Sequence, residues 1–143
     1  MIHSFPVAGT DAALKDALLA GGLPTEDIDE PGRRIFRVER DGALLGYGGF
    51  ELYGKDALLR SVVVPLETRG TGAGRVVAEQ LLGLIGSAGG RQVFLLTTTA
   101  AEFFEHLGFG HTDRASAPAA ILATRQAASI CSSADLLSRR LDD

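Results

Sequence analysis

The middle of the chain carries a nearly continuous apolar run, residues 58–64, which ends at Pro65. A run of this length without strict alternation is typical of a strand that is covered on both faces. A glycine-rich turn follows, and residues 74–87 then repeat apolar side chains at helical spacing, which predicts a helix. Residues 92–98 are expected to form a second buried strand. A strand, a helix and a strand in this order predict parallel neighbours within one sheet.

The segments on either side complete the predicted fold. Asp41-Gly42 is a strong hairpin signal between two runs rich in β-branched and aromatic residues, so we expect an antiparallel meander ahead of the central strand. The predicted strands of this meander cover residues 33–39, 43–53 and 57–64. Further helices are predicted at residues 10–19, 100–107 and 117–129, and a last strand at residues 135–141. The fold class is therefore α+β, a mixed and mostly antiparallel sheet with helices packed on it, in one domain over residues 1–143.

Composition narrows the classes of function. The formal net charge of -4 and the pI near 5.3 argue against a nucleic-acid partner, which normally requires a basic face. No apolar run approaches the roughly 20 residues that span a bilayer, and the N-terminus lacks a targeting pattern, so no membrane partner is expected. Cys131 is the single cysteine, which excludes an intramolecular disulfide and fits a reducing cytoplasm. No spacing of ligating residues suggests a metal site.

Between the buried strand and the predicted helix lies the turn Arg69-Gly70-Thr71-Gly72-Ala73-Gly74. Unpaired backbone N–H groups converge at a helix N-terminus, and the helix dipole favours negative charge there. The glycines permit positive φ and a close approach of the backbone, while Arg69 or Arg75 can add a charge-assisted contact. The turn therefore predicts a site for a pyrophosphate. A second interpretation stays open, in which the glycines only let the strand and the helix pack closely.

Two other phosphate-binding motifs are excluded by spacing. A P-loop needs a glycine, four residues and then Gly-Lys-Ser/Thr, but Gly74 is followed by Arg75. A dinucleotide fingerprint Gly-x-Gly-x-x-Gly that starts at Gly70 meets Arg75 at its last position, and one that starts at Gly72 meets Val77. The turn therefore belongs to neither class.

The turn resembles the acyl-CoA signature of GNAT acetyltransferases, Gln/Arg-x-x-Gly-x-Gly/Ala. The stretch Phe103-Phe104-Glu105-His106-Leu107-Gly108-Phe109 resembles the second GNAT element, in which a helix ends in Gly-Phe. The likeness is sharpest over residues 58–109. It implies acetyl-CoA as co-substrate, a sheet whose central parallel strands splay apart at the acyl-CoA site, and helices on both faces of that sheet.

A narrower resemblance concerns one branch of the family. Residues 95–100, the pair Phe103-Phe104 and residues 113–121 are similar to the branch labelled arsenic-resistance N-acetyltransferase-like. This likeness implies acetylation of a small toxic amine, such as an amino-acid-like organoarsenical or a phosphinothricin relative.

In GNAT enzymes the substrate amine attacks the thioester directly, so the protein supplies positioning, an oxyanion contact and proton handling. The resemblance implies that backbone groups of Val62, Val63 and Val64 pair with the pantetheine arm. It also implies that an N–H group of this segment, for which Val64 is the candidate, polarises the thioester carbonyl. The residues implied in cofactor binding are Val62, Val63, Val64, Arg69, Gly70, Thr71, Gly72, Ala73, Gly74, Arg75, Thr98 and Phe104.

The chain departs from the family pattern at two positions. Many members carry a tyrosine four residues before the glycine of Gly-Phe, where it protonates the departing thiolate, but this chain has Phe104, which cannot donate. Many also place a glutamate on the central strand near the position of Arg60, whose charge is wrong for a base. Glu51 on the preceding strand is then the candidate general base, and the alternative for it is a solvated strand carboxylate.

Other polar side chains are candidates for binding the acceptor. Arg60 can hold a carboxylate or phosphonate-like group by a bidentate contact, and the alternative is an ordinary surface arginine. Tyr53 and Thr97 are the other candidates for substrate binding, with strand packing as the alternative for each. A packing or structural role is favoured for Tyr47, His106, His111 and Cys131.

Three functions are compatible with these residues. The leading hypothesis is an enzyme that transfers acetyl from acetyl-CoA to the primary amine of a small, anionic, amino-acid-like compound. A non-catalytic acyl-CoA sensor fits the loss of a hydroxyl at Phe104, and an acetyltransferase acting on protein lysines or N-termini is the third interpretation. A homodimer is compatible with the sequence.

Overall fold

The computed structural model describes residues 1–124, 127 and 134–141. Within these residues the strands are β1 Ile2–Val7, β2 Arg34–Arg40, β3 Ala43–Tyr53, β4 Asp56–Val63, β5 Gln92–Thr97, β6 Gly110–His111 and β7 Asp135–Arg140. The helices are α1 Ala12–Ala20, α2 Ala73–Ser87, α3 Ala101–Glu105 and α4 Ala119–Leu122. In this part of the chain no helix has the length and apolar character needed to cross a membrane.

The strands follow the order β1-β2-β3-β4-β5-β7-β6, with hydrogen-bonded neighbours. The pairs β1–β2, β2–β3, β5–β7 and β6–β7 are antiparallel, whereas β4 and β5 are parallel. The parallel register joins the N-terminal ends of the two strands, from Asp56 with Gln92 to Leu58 with Phe94. This topology confirms the predicted mixed sheet with one central parallel pair.

The chain divides into two compact units, and the first comprises Met1–Glu51 and Leu59–Leu84. Its core packs Leu14 and Leu18 of α1 against Ile35, Tyr47 and Val63 of the strands. The predicted helix start at residue 10 or 11 is explained by Asp11, whose side chain accepts a hydrogen bond from the amide of Leu14 at 2.9 Å. The core therefore fixes Val63, which lies at the end of β4 just before the glycine-rich turn.

The second unit comprises Leu52–Leu58 and Ile85–Asp143. Its core packs Leu58 and Phe94 of the parallel pair against Leu136 of β7 and Ile121 of α4. Tyr53 and Leu96 are partly buried against the same cluster. The central strands of this unit are therefore covered by apolar side chains, as the apolar runs predicted.

The structure corrects the predicted elements at three places. β1 and β6 were not predicted; β6 has only two residues, and β1 contains Pro6, which lowers the strand signal. The helix predicted at residues 117–129 starts at Ala119, because Pro118 precedes it with extended ψ, and its described part ends at Leu122. Of the remainder, residues 125, 126, 128 and 129 lie outside the described residues. The other predicted elements are confirmed, with ends that differ by at most two residues.

Candidate functional site

The turn between β4 and α2 has a backbone geometry that suits an anion. Gly70 and Gly72 have φ of 80° and 83°, in the left-handed region that glycine adopts without steric cost. A Cβ built on either residue would have nothing within 4 Å of it, so the space beside the turn is open. The predicted need for glycine at these two positions is thus explained by their φ angles.

The N-terminus of α2 supplies hydrogen-bond donors to this space. The first hydrogen bond of the helix runs from the amide of Val76 to the carbonyl of Gly72 at 3.3 Å, so the amides just before Val76 have no helical acceptor. The 15-residue helix concentrates partial positive charge at that end. Arg75 is exposed beside these amides, where its Nε donates to Glu79 at 2.8 Å. A negatively charged group would be stabilised by both features.

The segment that leads into the turn is held by its own backbone contacts. The carbonyl of Val64 accepts from Nε of Arg69 at 3.0 Å, and the hydroxyl of Thr68 donates to the carbonyls of Pro65 at 3.1 Å and Leu45 at 3.3 Å. These hydrogen bonds fix the residues that connect the end of β4 to the turn. The turn is therefore held by the scaffold of the first unit.

Residues Val62 and Val63 present opposite faces of β4. The side chain of Val63 is buried in the core of the first unit, while Val62 and Val64 are half-buried. A Cβ on Gly46 of β3 would lie 2.4 Å from the carbonyl oxygen of Val63, so the two backbones approach closely here and only glycine fits at that position. The burial of the Val63 side chain and the close approach of Gly46 to its carbonyl hold this segment in place. The predicted role of the segment in binding pantetheine stays a prediction.

Glu51 and Arg60 lie together in a group of buried charges within the first unit. We call Asp27, Arg33, Glu51 and Arg60 the buried ion cluster. Arg60 donates through Nη1 to Asp27 at 2.7 Å and to Glu51 at 2.8 Å, and through Nη2 to the other oxygen of Asp27 at 2.6 Å. Arg33 donates through Nη2 to Asp27 at 2.9 Å, and its Nε lies 3.7 Å from Glu51. The side chains of Asp27 and Arg60 are 0% exposed.

These contacts bear on two predicted site residues. The Nε of Arg60 donates to the hydroxyl of Ser61 at 3.2 Å, so all three guanidinium nitrogens have protein acceptors. The alternatives of a solvated carboxylate at Glu51 and a surface arginine at Arg60 are wrong, because both side chains are buried. The proposed roles of Glu51 as a base and Arg60 as a substrate ligand stay predictions, and the observed contacts favour structural roles for both.

The cluster holds Asp27 and Arg60 in their charged forms. Burial alone would raise the pKa of Asp27, but hydrogen bonds from Arg60 and then Arg33 outweigh it and lower the pKa from 3.8 to about 2. Burial acts to lower the pKa of Arg60, yet the hydrogen bonds with Asp27 and Glu51 outweigh it and raise this pKa above its ordinary value. An aspartate and an arginine without access to water are therefore stable here only as partners.

This pairing predicts a loss of stability in acid. Because the pKa of Asp27 is lower in the folded state, its contribution is fully present above the unfolded value near 4 and is lost as the pH falls towards 2. Asp27→Asn should lower the free energy of unfolding, and urea unfolding measures by how much. We expect this loss to be about 2 kcal/mol smaller at pH 2 than at pH 5. Asp29→Asn, at an exposed aspartate of the same connection, serves as the control. A difference that stays constant with pH would contradict the shifted pKa.

The Gly-Phe stretch of the second unit forms a Schellman cap at the end of α3. The amide of Phe109 donates to the carbonyl of Phe104 at 3.1 Å, and the amide of Gly108, with φ of 91°, donates to Glu105 at 3.0 Å. The rings of Phe104 and Phe109 meet edge to face, with centroids 5.7 Å apart. Phe104 is buried and packs against Phe109, and its predicted contact with the cofactor stays a prediction.

The remaining predicted site residues of the second unit are distributed over its strands and loops. The hydroxyl of Thr97 accepts from the amide of Ala100 at 2.9 Å just before α3, which gives Thr97 a structural contact, whereas Thr98 is exposed. Tyr53 packs on the core of this unit. The binding roles predicted for these three residues stay predictions.

Four residues were predicted to have a packing or structural role, namely Tyr47, His106, His111 and Cys131. Tyr47 is buried in the core of the first unit, and its hydroxyl lies 3.4 Å from Nη1 of Arg37. His106 ends α3, and Nε2 of His111 lies 3.6 Å from Glu105. Cys131 lies outside the described residues. Among the residues that the structure describes, no group of three histidine, cysteine, aspartate or glutamate side chains is arranged to hold a metal ion.

Sequence reasoning missed Asp27 and Arg33 as members of the cluster. Both lie in the connection between α1 and β2. In sequence, Asp27 stands in a Pro- and acid-rich segment that looks like a solvated loop, and Arg33 stands at the start of the strand predicted at residues 33–39. The available signal was an arginine within an apolar strand at position 60, since a buried charge requires a partner of opposite sign. The partner lies 33 residues away along the chain, so no local pattern identifies it.

The sequence matches the Acetyltransferase (GNAT) family over residues 4–109, which is well over half of the chain. The protein belongs to the GNAT acetyltransferase family. The match includes both the glycine-rich turn and the Gly-Phe stretch. No curated protein matches the sequence at a significant level.

Several solved structures have the same fold as this protein over nearly its whole length. N-acetylglutamate synthase from Neisseria gonorrhoeae, complexed with coenzyme A and N-acetyl-glutamate, matches 100% of this chain with a TM-score of 0.80 and 17% identity, and the chain spans 36% of that protein's length. Rv2747 from Mycobacterium tuberculosis, in complex with CoA, matches 98% of this chain and 99% of its own, with a TM-score of 0.72 and 17% identity. A GNAT-family acetyltransferase from Staphylococcus aureus covers 99% and 100% of the two chains at a TM-score of 0.71 and 12% identity. At these identities the likeness concerns the fold.

Proposed function

We propose that this acetyltransferase transfers acetyl from acetyl-CoA to the primary amine of a small, anionic, amino-acid-like compound. The diphosphate of coenzyme A binds at the turn from Arg69 to Arg75, and the pantetheine arm runs along Val62, Val63 and Val64. The observation that carries the proposal is the pair of left-handed glycines, Gly70 and Gly72, beside the open N-terminus of α2. Thr98 and Phe104 belong to the proposed cofactor contacts, and Tyr53 and Thr97 to those of the acceptor.

The chemistry requires little from the protein beyond orientation. Acetyl-CoA supplies an activated acyl group whose thiol is an acceptable leaving group, so a neutral amine can attack it directly. A backbone N–H group, for which Val64 is the candidate, stabilises the negative charge that develops on the carbonyl oxygen. Phe104 has no proton to donate, so we propose that the departing thiolate is protonated by water. Glu51 accepts a hydrogen bond from Arg60 and lies close to Arg33. We therefore propose that a chain of water molecules removes the proton of the attacking amine, with Glu51 as the alternative proton acceptor.

The acceptor class has support from a related fold. The Neisseria synthase, which shares this fold over 36% of its length, is complexed with coenzyme A and N-acetyl-glutamate, an acetylated anionic amino acid. An amino-acid-like acceptor agrees with the proposed arsenic-resistance branch, whose acceptor would be an amino-acid-like organoarsenical or a phosphinothricin relative. We further propose that the chain acts as one domain in the cytoplasm, without a metal, and that any dimer is a homodimer.

A thiol-release assay tests this function. We expect free thiol to appear from acetyl-CoA when the protein meets an amino acid or amino-acid herbicide with a primary amine, and not when it meets a lysine peptide. Acetyl-CoA at 100 times its dissociation constant should raise the free energy of unfolding by about 2.7 kcal/mol, which shifts Tm by about 10 °C. Stabilisation without thiol release from any amine would favour the sensor, and release with the lysine peptide would favour a protein acceptor. Absence of stabilisation at millimolar acetyl-CoA would overturn the cofactor site itself.

A further inference from the structure

Ser61 has a backbone conformation that is rare outside glycine. Its φ is 59°, in the left-handed region that is sterically unfavourable for a residue with a Cβ. Such a conformation persists only where the surrounding structure determines it, and it is common next to functional sites. Ser61 directly precedes Val62, the first of the residues proposed to contact the acyl-CoA. Whatever fixes Ser61 therefore also fixes the direction of the peptide groups that follow.

Ser61 is tied to the buried ion cluster by its side chain. Consecutive side chains of a regular strand point to opposite faces, so neighbouring side chains in contact require a local twist of the backbone. Here Nε of Arg60 donates to the hydroxyl of Ser61 at 3.2 Å. Arg60 is itself fixed by both oxygens of Asp27, at 2.7 and 2.6 Å, and by Glu51 at 2.8 Å. The guanidinium position is thus determined from three sides, and the Ser61 contact follows from it.

The cluster joins β4 to two other segments of the first unit. Asp27 belongs to the connection between α1 and β2, and Glu51 lies on β3. Gly46, also on β3, approaches the carbonyl of Val63 so closely that a Cβ would lie 2.4 Å from it. Val62 therefore lies between one constraint at Ser61 and another at Val63. A strand held in this way can place an N–H group with the accuracy that charge stabilisation requires.

We propose that the buried ion cluster is a positioning device for acyl transfer, which holds Ser61 in the left-handed conformation through Arg60 and so aims the N–H groups of the segment Val62 to Val64 at the thioester carbonyl. This inference rests on the proposed function. Asp27, Glu51 and Arg60 are positioning residues in this view, and none of them touches the substrate. Their effect appears in the polarisation of the bound thioester and not in the affinity of the diphosphate, which binds at the turn.

Infrared spectroscopy of bound acetyl-CoA, labelled with ¹³C at the acetyl carbonyl, tests the proposal without an acceptor. We expect the carbonyl band to move to lower frequency on binding, because a well-aimed N–H group polarises it. Asp27→Asn should remove at least half of this shift while the Kd of coenzyme A, measured by calorimetry, changes less than threefold. Asp29→Asn, at an exposed aspartate of the same connection, should keep the full shift. A purely structural role of Asp27 would lower Tm and leave the band of the folded protein unchanged.

A second substitution tests the path through Ser61. Glycine adopts positive φ without strain, so adding Ser61→Gly to Asp27→Asn should restore part of the band shift. If Asp27→Asn does not fold, Ser61→Val keeps all four charges and should lose the shift, because a β-branched residue resists this φ. A full band shift in folded Asp27→Asn or, where that variant does not fold, in Ser61→Val overturns the positioning role, and so does the absence of any band shift in the unsubstituted protein. Failure of coenzyme A to bind the unsubstituted protein overturns the proposed function instead.

Discussion

Gly72→Ala is expected to weaken the binding of acetyl-CoA at least tenfold. The methyl group would project into the open space beside the turn, where we place the diphosphate, and the alanine would resist the φ of 83° that aims the neighbouring amides. A tenfold loss corresponds to about 1.4 kcal/mol of binding free energy. Calorimetry with acetyl-CoA and with coenzyme A measures it, and both ligands should be affected equally because they share the diphosphate.

Gly42→Ala provides a matched control for this variant. Gly42 lies in the hairpin turn between β2 and β3 with φ of 86°, and a Cβ built there also has nothing within 4 Å. Both alanines should therefore lower the free energy of unfolding by a similar amount, about 1–2 kcal/mol. Only Gly72→Ala should alter the Kd. Equal Kd values for the two variants would show that the turn does not hold the cofactor.

Arg60→Met is expected to lower the free energy of unfolding by about 3–5 kcal/mol. Methionine keeps much of the aliphatic volume but removes the charge, so Asp27 and Glu51 would remain buried with Arg33 as their remaining cluster partner. A buried charge that loses its partner carries most of its desolvation cost. Urea unfolding at neutral pH measures the change, and Tm should fall by at least about 10 °C.

Arg75→Met tests the same chemical change at an exposed pair. Arg75 and Glu79 are 61% and 53% exposed, and pairs of this kind contribute about 0–1 kcal/mol. The two variants remove one guanidinium group each, so the difference between their losses of unfolding free energy measures the effect of burial. If Arg60→Met were as mild as Arg75→Met, the cluster would not be held as the structure describes it.

The central elements were predictable because their signals are local. The run at residues 58–64, the glycines of the turn and the apolar spacing of α2 all lie within 30 consecutive residues. Asp11 at the start of α1 and Asp41-Gly42 in the hairpin also act on their own neighbours. The family signature lies in the same stretch, which explains why the sequence directed the prediction of an acyl-CoA site to the glycine-rich turn.

The features that were missed depend on distant partners. β1 is a strand because it pairs with β2, some 30 residues later, and its own pattern of Ile2, Phe5 and Pro6 does not alternate clearly. Arg60 was predicted to bind a substrate anion, with a surface arginine as the alternative, because an arginine in a strand usually reaches water or a ligand. Only the fold brings Asp27 to it. The left-handed φ of Ser61 has no sequence signal, since serine is not a residue that favours it.

β1 is an edge strand of the sheet, and an edge strand can pair with a strand of another chain. Pro6 lies within β1 and lacks the N–H group that a strand must offer at each position of a continuous ladder. A strand added along this edge would lack a hydrogen-bond donor at Pro6, so edge-to-edge growth of sheets through β1 is disfavoured. Any self-association of this protein should accordingly leave the β1 edge of the sheet unshared.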